Sequence, residues 1–174
     1  MNEKNQAILI NLASHFKFST RTLEERQRLQ KSVYVLQGSG MILGYGFGWG
    51  PYGPMSNSLI RDYEELDSFS TNSNLSKLTD SSWDKIKEIE SLFISKQDAR
   101  GLELLTSVHY LYESLPENKT ILPYKFKKKF RKFKTKTFND KSPITEEQLN
   151  RALVDATNLI AYRNFHDYQL TRPQ

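Results

Sequence analysis

Seven of the eight glycines in this 174-residue chain fall between Gly38 and Gly53. Within that stretch the run GYGFGWGPYGP alternates glycine with Tyr45, Phe47 and Trp49, a period of two. Glycine loses the most backbone entropy on ordering, and proline lacks the N–H that a helix interior uses, so a stable helix is excluded here. The alternation predicts a short strand or β-ribbon near 44–52, with aromatics on one face and glycine leaving the other open to close backbone approach. Clustered glycines also occur in phosphate-cradling loops. Those loops need a strand before them and a helix directly after, and a P-loop needs its Lys-Ser/Thr pair. Here a helix precedes and aromatics fill the gaps, so the expectation is packing, not nucleotide binding.

On either side of this segment the pattern is helical. Ile8, Leu12 and Phe16, with Leu9 and Ala13 beside them, make one apolar face over residues 3–18. Thr22 and Glu25 form a capping box that opens a helix carrying Leu29, Val33 and Leu36, with Gly38 as its expected stop. Gly53 before Pro54 suits a tight turn, and Ser56 is placed to cap a helix carrying Leu59, Tyr63 and Leu66. A polar stretch at 68–76 reads as a loop. Ile86, Ile89 and Phe93 mark another helix, and Leu104, Val108, Leu111 and Leu115 a further one that Pro116 ends. After Pro143, a second capping box (Thr145 with Gln148) starts a terminal helix with Leu149, Ala152, Leu153, Ala156, Leu159 and Ile160 on its buried stripe. Residues 164–174 read as a loose tail. The expected fold is mainly α: one compact helical domain over 1–174, six to seven helices and a small β-ribbon. Shifts in composition mark hinges near 70–80 and 116–123, the latter a sub-lobe boundary.

Charge is as unevenly spread as glycine. The formal net charge is +5, yet residues 125–136 (KFKKKFRKFKTK) hold eight basic side chains and no acid, which leaves 17 basic against 20 acidic residues elsewhere. Phe126, Phe130 and Phe133 lie at i, i+4 and i+7, so the segment reads as a helix with one aromatic face. Lys125, Lys127, Lys128, Lys129, Arg131, Lys132, Lys134 and Lys136 surround that face. Such a helix suits nucleic-acid phosphates, an anionic membrane surface or an acidic protein. The bland alternative is a solvated face, with the phenylalanines in the core. Lysine outnumbers arginine seven to one here, which favours diffuse attraction over bidentate base reading.

The residues Arg28-Leu29-Gln30-Lys31-Ser32-Val33-Tyr34-Val35-Leu36-Gln37, then the aromatic strand, then Tyr52-Gly53-Pro54-Met55-Ser56 with Leu59, Asp62 and Leu66, carry a resemblance. Over about 28–66 the chain resembles the Panacea (SocA-like) antitoxin domain and related small bacterial proteins of the YwgA type. Their hallmarks are an LQKLvYLlQ-like helix and a YGPyS-like turn into the next helix. Met55 stands where an aromatic or aliphatic residue is commoner, and Ser32 replaces a usual apolar one. The helix after Pro143 matches the family's closing helix more loosely. The resemblance implies a compact helical domain and an accessory, non-enzymatic role: neutralising a toxin, adapting a protein partner, or serving in phage–host conflict.

Catalysis has little to build on. His15, His109 and His166 are far apart and form no metal-ligand spacing. Arg163 and His166 superficially resemble the Arg…His motif of helical ribonucleases of the HEPN type, but two intervening residues replace the four to six that motif needs. Glu64-Glu65 and Glu146-Glu147 read as solvated or capping charge and not an acid–base couple. No cysteine is present, which excludes a disulfide scaffold, a thiol nucleophile and thiolate metal sites. With no run of 18 apolar residues and no secretory leader pattern, a cytoplasmic location without membrane partner or cofactor is expected. The expected function is binding of a protein partner such as a toxin, defence effector or host factor. Tyr45, Phe47, Trp49 and Tyr52 would supply contact area, with Lys31 and Asp62 pairing across their helices or rimming a groove. The alternative is a nucleic-acid-binding regulator acting through 125–136.

Overall fold

The computed structural model describes residues 3–16, 22–66, 78–115, 123–138 and 143–171. In chain order these form α1 (Glu3–His15), α2 (Leu23–Gly38), β1 (Gly48–Gly50), β2 (Gly53–Met55), α3 (Asn57–Leu66), α4 (Asp80–Ile89), α5 (Ala99–Glu113), α6 (Pro123–Phe138) and α7 (Glu146–Thr171). The fold is mainly helical, with one two-stranded antiparallel ribbon in which Gly48 pairs with Met55, Trp49 with Pro54 and Gly50 with Gly53. The expected loop at 68–76 lies outside the described residues, as does most of the 116–123 boundary.

Local chemistry sets the helix starts. Thr22 Oγ1 accepts from the Glu25 N–H at 3.2 Å while Glu25 Oε2 accepts from the Thr22 N–H at 3.0 Å. Thr145 and Gln148 repeat the arrangement at 3.1 and 3.0 Å. Ser56 Oγ accepts from the Leu59 N–H, as its position implies. Asp98 caps α5 through the Gly101 N–H at 2.6 Å. Each such cap is worth about 1 kcal/mol.

The helix ends show where local reading falls short. Gly38 is the last residue of α2, and the left-handed residue is Gly40, at φ 95°. Met41 N–H bonds to Leu36 O and Gly40 N–H to Gln37 O, a Schellman closure directly after the expected stop. At its C-terminal end α4 passes into a single π-helical turn, Glu90–Ile94, closed by the Ser95 N–H on Glu90 O at 2.9 Å. Phe93 and Ile94 of that turn are buried in the core. The tail reading is corrected too: α7 continues through 164 to Thr171. Arg163 forms a two-bond pair with Glu113 at 2.7 and 3.2 Å, and Tyr162 donates to Glu88 at 2.8 Å, which hold that end of α7 against its neighbours.

At the centre lies α5, packed against α7, α2 and β2. Six consecutive residues, Leu104–His109, are buried in α5, and all of Leu29–Leu36 are buried in α2. Both helices are therefore enclosed nearly all round, and the expected apolar stripes understate them. α1 packs on α3, and its Leu9 and Leu12 are buried in the core. Phe126 and Phe130 of α6 are core residues, 5% and 1% exposed; Phe133's side chain lies outside the described residues. Among the described residues no helix is long and apolar enough to cross a membrane.

Gly53 joins the ribbon to the core. It takes φ 85°, and a Cβ there would stand 2.2 Å from Ser107 Oγ of α5. Gly53→Ala therefore meets both backbone strain and overlap. It should lower unfolding free energy by about 2–4 kcal/mol in urea titration. Gly46→Ala, with nothing within 4 Å of its Cβ position, should stay within about 0.5 kcal/mol.

Candidate partner-binding surfaces

The residues of the 28–66 motif meet in space as a clamp. Gln37 donates to Tyr45 O and accepts from Tyr45 N–H, both at 2.9 Å. Two helical turns earlier, Gln30 does the same to Ser56, at 3.3 and 3.1 Å. Beside Gln30 in sequence, Lys31 Nζ donates to Pro54 O at 2.6 Å. Lys31 and Asp62, expected as a cross-helix pair, do not meet: Asp62 instead accepts from the Tyr45 hydroxyl at 2.9 Å. Lys31 is 3% exposed. Burial pulls its amine from the usual 10.5 down to about 7, with Glu103 acting against the shift and Lys134 with it.

The four aromatics divide by depth. Tyr45 is buried, 7% exposed, and burial with the Asp62 bond pushes its phenol upward. Phe47 is half-buried, edge-on to Tyr34 at 5.0 Å, and Trp49 is half-buried against Tyr110 at 5.7 Å. Only Tyr52 of the four is well exposed, at 48%. It sits with Pro51 at the tip of the ribbon. Beside it runs a groove of about 180 Å³ bounded by Leu23 and Lys31 of α2, Tyr52 and Met55 of the ribbon, and Ile60 and Tyr63 of α3. Leu23, also exposed, forms the opposite lip.

The basic helix divides as well. Lys134 is 1% exposed and pairs with Glu103 of α5, which Arg100 also reaches at 2.8 Å. It therefore leaves the expected binding set. Lys127 and Arg131 both bond Glu146, at 2.6 and 2.7 Å, and hold that carboxyl below its usual range. Lys125, Lys128, Lys129 and Lys132 are exposed. They lie at i, i+3, i+4 and i+7, one face of α6. Lys136's side chain lies outside the described residues. The inward turn of Lys134 has a sequence signal: it continues the Phe126, Phe130 spacing by four more residues.

The histidines stay apart. His15 bonds Glu90 at 2.7 Å and His166 packs on Tyr162 with ring centroids 4.3 Å apart. Arg163, committed to Glu113, does not join His166. His109 is 2% exposed; its Nδ1 meets the Tyr34 hydroxyl at 2.9 Å, and its Nε2 has no partner. Burial lowers its pKa from 6.5 to about 4. Glu64, Glu65 and Glu147 are exposed. Among the described residues no group of three or more His, Asp or Glu side chains is arranged to hold a metal ion.

Two buried bases set the pH response. The unfolded chain protonates His109 below about 6.5 and Lys31 below about 10.5, whereas the folded chain waits until about 4 and about 7. In both windows the unfolded state binds more protons, so stability rises with pH across each. Urea midpoints should climb from pH 4 to 6.5 and again from pH 7 to about 9, above which Tyr34, Tyr45, Tyr63 and Tyr162, whose phenols burial pushes upward, act in the opposite sense. His109→Gln should flatten the first rise and Lys31→Met the second; an unchanged slope in either variant counts against its assignment. Glu113, lowered chiefly by Arg163, contributes with the same sign in both variants, less its smaller His109 part in His109→Gln.

No family model, curated protein or solved structure matches the chain.

Proposed function

We propose that this chain is a non-enzymatic interaction protein of the antitoxin or phage-conflict type, cytoplasmic, which binds and modulates a protein partner. The observation that carries this reading is the ribbon tip. Tyr52 stands out at 48% exposure on a hairpin whose base is fixed by five hydrogen bonds from Gln30, Lys31 and Gln37. Tyrosine supplies a large contact area with few rotors to immobilise, and it is among the residues that dominate interface energies. A pre-formed tip avoids the ordering penalty that a mobile loop would incur on binding. The neighbouring groove takes an apolar side chain of the partner, so tip and groove together form one contact surface. The likeness of residues 28–66 to the Panacea antitoxins agrees with a partner-neutralising role.

The test begins with affinity purification from the native host, followed by titration of the recovered partner. A stoichiometric protein should co-purify, and Tyr52→Ala should weaken it by about tenfold or more while leaving the thermal midpoint unchanged. A partner bound equally well by Tyr52→Ala, or recovery of the chain alone, overturns the reading.

A further inference from the structure

A second surface lies away from the ribbon, where the end of α5 meets α6. Leu111, Ser114 and Leu115 on one side and Phe126, Lys129 and Phe130 on the other enclose a groove of about 220 Å³. A cavity of ~150 Å³ already admits a benzene-sized group, so this one accepts a leucine or an aromatic side chain. Tyr112, half exposed, packs on Phe126 at 6.3 Å. No acidic residue lines the groove, and α6 contains none. Lys129 of that lining belongs to the exposed lysine face of α6, with Lys125, Lys128 and Lys132, spanning about 10 Å at ~1.5 Å per residue. Lys128, Lys129 and Lys132 are exposed and have no ion-pair partner among the described residues.

We propose that this groove and the lysine face together dock an acidic protein segment that inserts one large apolar side chain. Charge complementarity selects the acidic class: among the described residues the groove is lined by Lys129 and no carboxylate, and Lys128 and Lys132 stand unpaired on the same helix. The groove's chemistry selects protein over nucleic acid. Apart from Lys129, its one polar side chain is Ser114, whose hydroxyl already donates to Tyr110 O at 2.7 Å. A nucleobase seated there would leave its polar edge unpaired, whereas an aliphatic or aromatic side chain would not. The arginine suited to bidentate phosphate contact, Arg131, is bound to Glu146. The proposal shares with the reading above only the class of partner; surface and residues are different.

Fluorescence anisotropy with synthetic probes decides it. One labelled peptide is Asp/Glu-rich with a central tryptophan, a second has alanine there, and a single-stranded oligothymidine matches their charge. The tryptophan peptide should bind about tenfold tighter than the alanine peptide, and tighter than the oligonucleotide. The triple variant Lys128→Gln, Lys129→Gln, Lys132→Gln should weaken it by about tenfold or more, with an unchanged circular dichroism spectrum, since these side chains are exposed. Tyr52→Ala should leave peptide binding intact, which separates this surface from the ribbon tip. Equal affinity for both peptides would mean diffuse attraction without the groove. Tighter oligonucleotide binding would make this a nucleic-acid surface. Either result, or no binding at low salt, overturns the proposal.

Discussion

The bond on which the fold depends is the one between side chains of α2 and the backbone of 45–56. A three-residue ribbon is too short to hold itself, and the glycines around it enlarge the entropy lost on ordering. Gln30 and Gln37 each offer a carboxamide N–H and C=O to the C=O and N–H of one residue, as a neighbouring strand would. They stand seven residues apart on α2, so two helical turns replace a missing strand. Lys31 adds a third attachment at Pro54. Such polar side chains work only where water does not compete, which is why all of Leu29–Leu36 are buried. Burial of α2 in turn requires α5 and α7 around it.

That burial has an electrostatic consequence. Lys31 and Lys134 are both nearly inaccessible, and Glu103 of α5 is the acid near them, also held by Arg100. Lys134 takes the bond to that carboxylate, whereas Lys31 has none, and burial draws its amine down to about 7. The same carboxylate ties α6 to α5 through Lys134, while Glu146 of α7 ties α6 from the other side through Lys127 and Arg131. The basic run is therefore two things: an inner set of cations that attaches a helix, and an outer set that the attachment leaves over.

What was legible in the sequence was local or periodic. The Thr22–Glu25 and Thr145–Gln148 boxes are fixed by spacing within one turn, and the core phenylalanines Phe126 and Phe130 by a four-residue repeat. The stop of α2 at Gly38 was legible, but not which of the two glycines within reach turns left-handed, since only the fold decides that. Gly38 is instead pressed between helices, where a Cβ would meet His109 and Leu159 at 3.3 Å. The pairing of Lys31 with Pro54 O, and of Asp62 with Tyr45, was invisible because it joins a helix to an irregular backbone whose path has no period. In the candidate surface, residue type alone could not rank four aromatics by depth. Tyr45 and Tyr52 differ in that one faces the Asp62 carboxylate inside and the other stands at a turn.

The separation between what holds the fold and what it offers outward bears on how binding can be assigned. Trp49 has the side chain most associated with interfaces, but its ring rests on Tyr110 of the central helix. Its removal would loosen the ribbon's seat and weaken any partner through folding. Tyr52 lies in the turn, two residues before the clamped Pro54, and makes no comparable ring contact among the described residues. On α6 the same distinction falls between adjacent positions: Lys127 belongs to the Glu146 pair, whereas Lys128 and Lys129 face solvent. A loss of binding at Tyr52, Lys128 or Lys129 with stability retained therefore reports contact, whereas the same loss at Trp49, Lys127 or Lys134 reports only that the scaffold has moved.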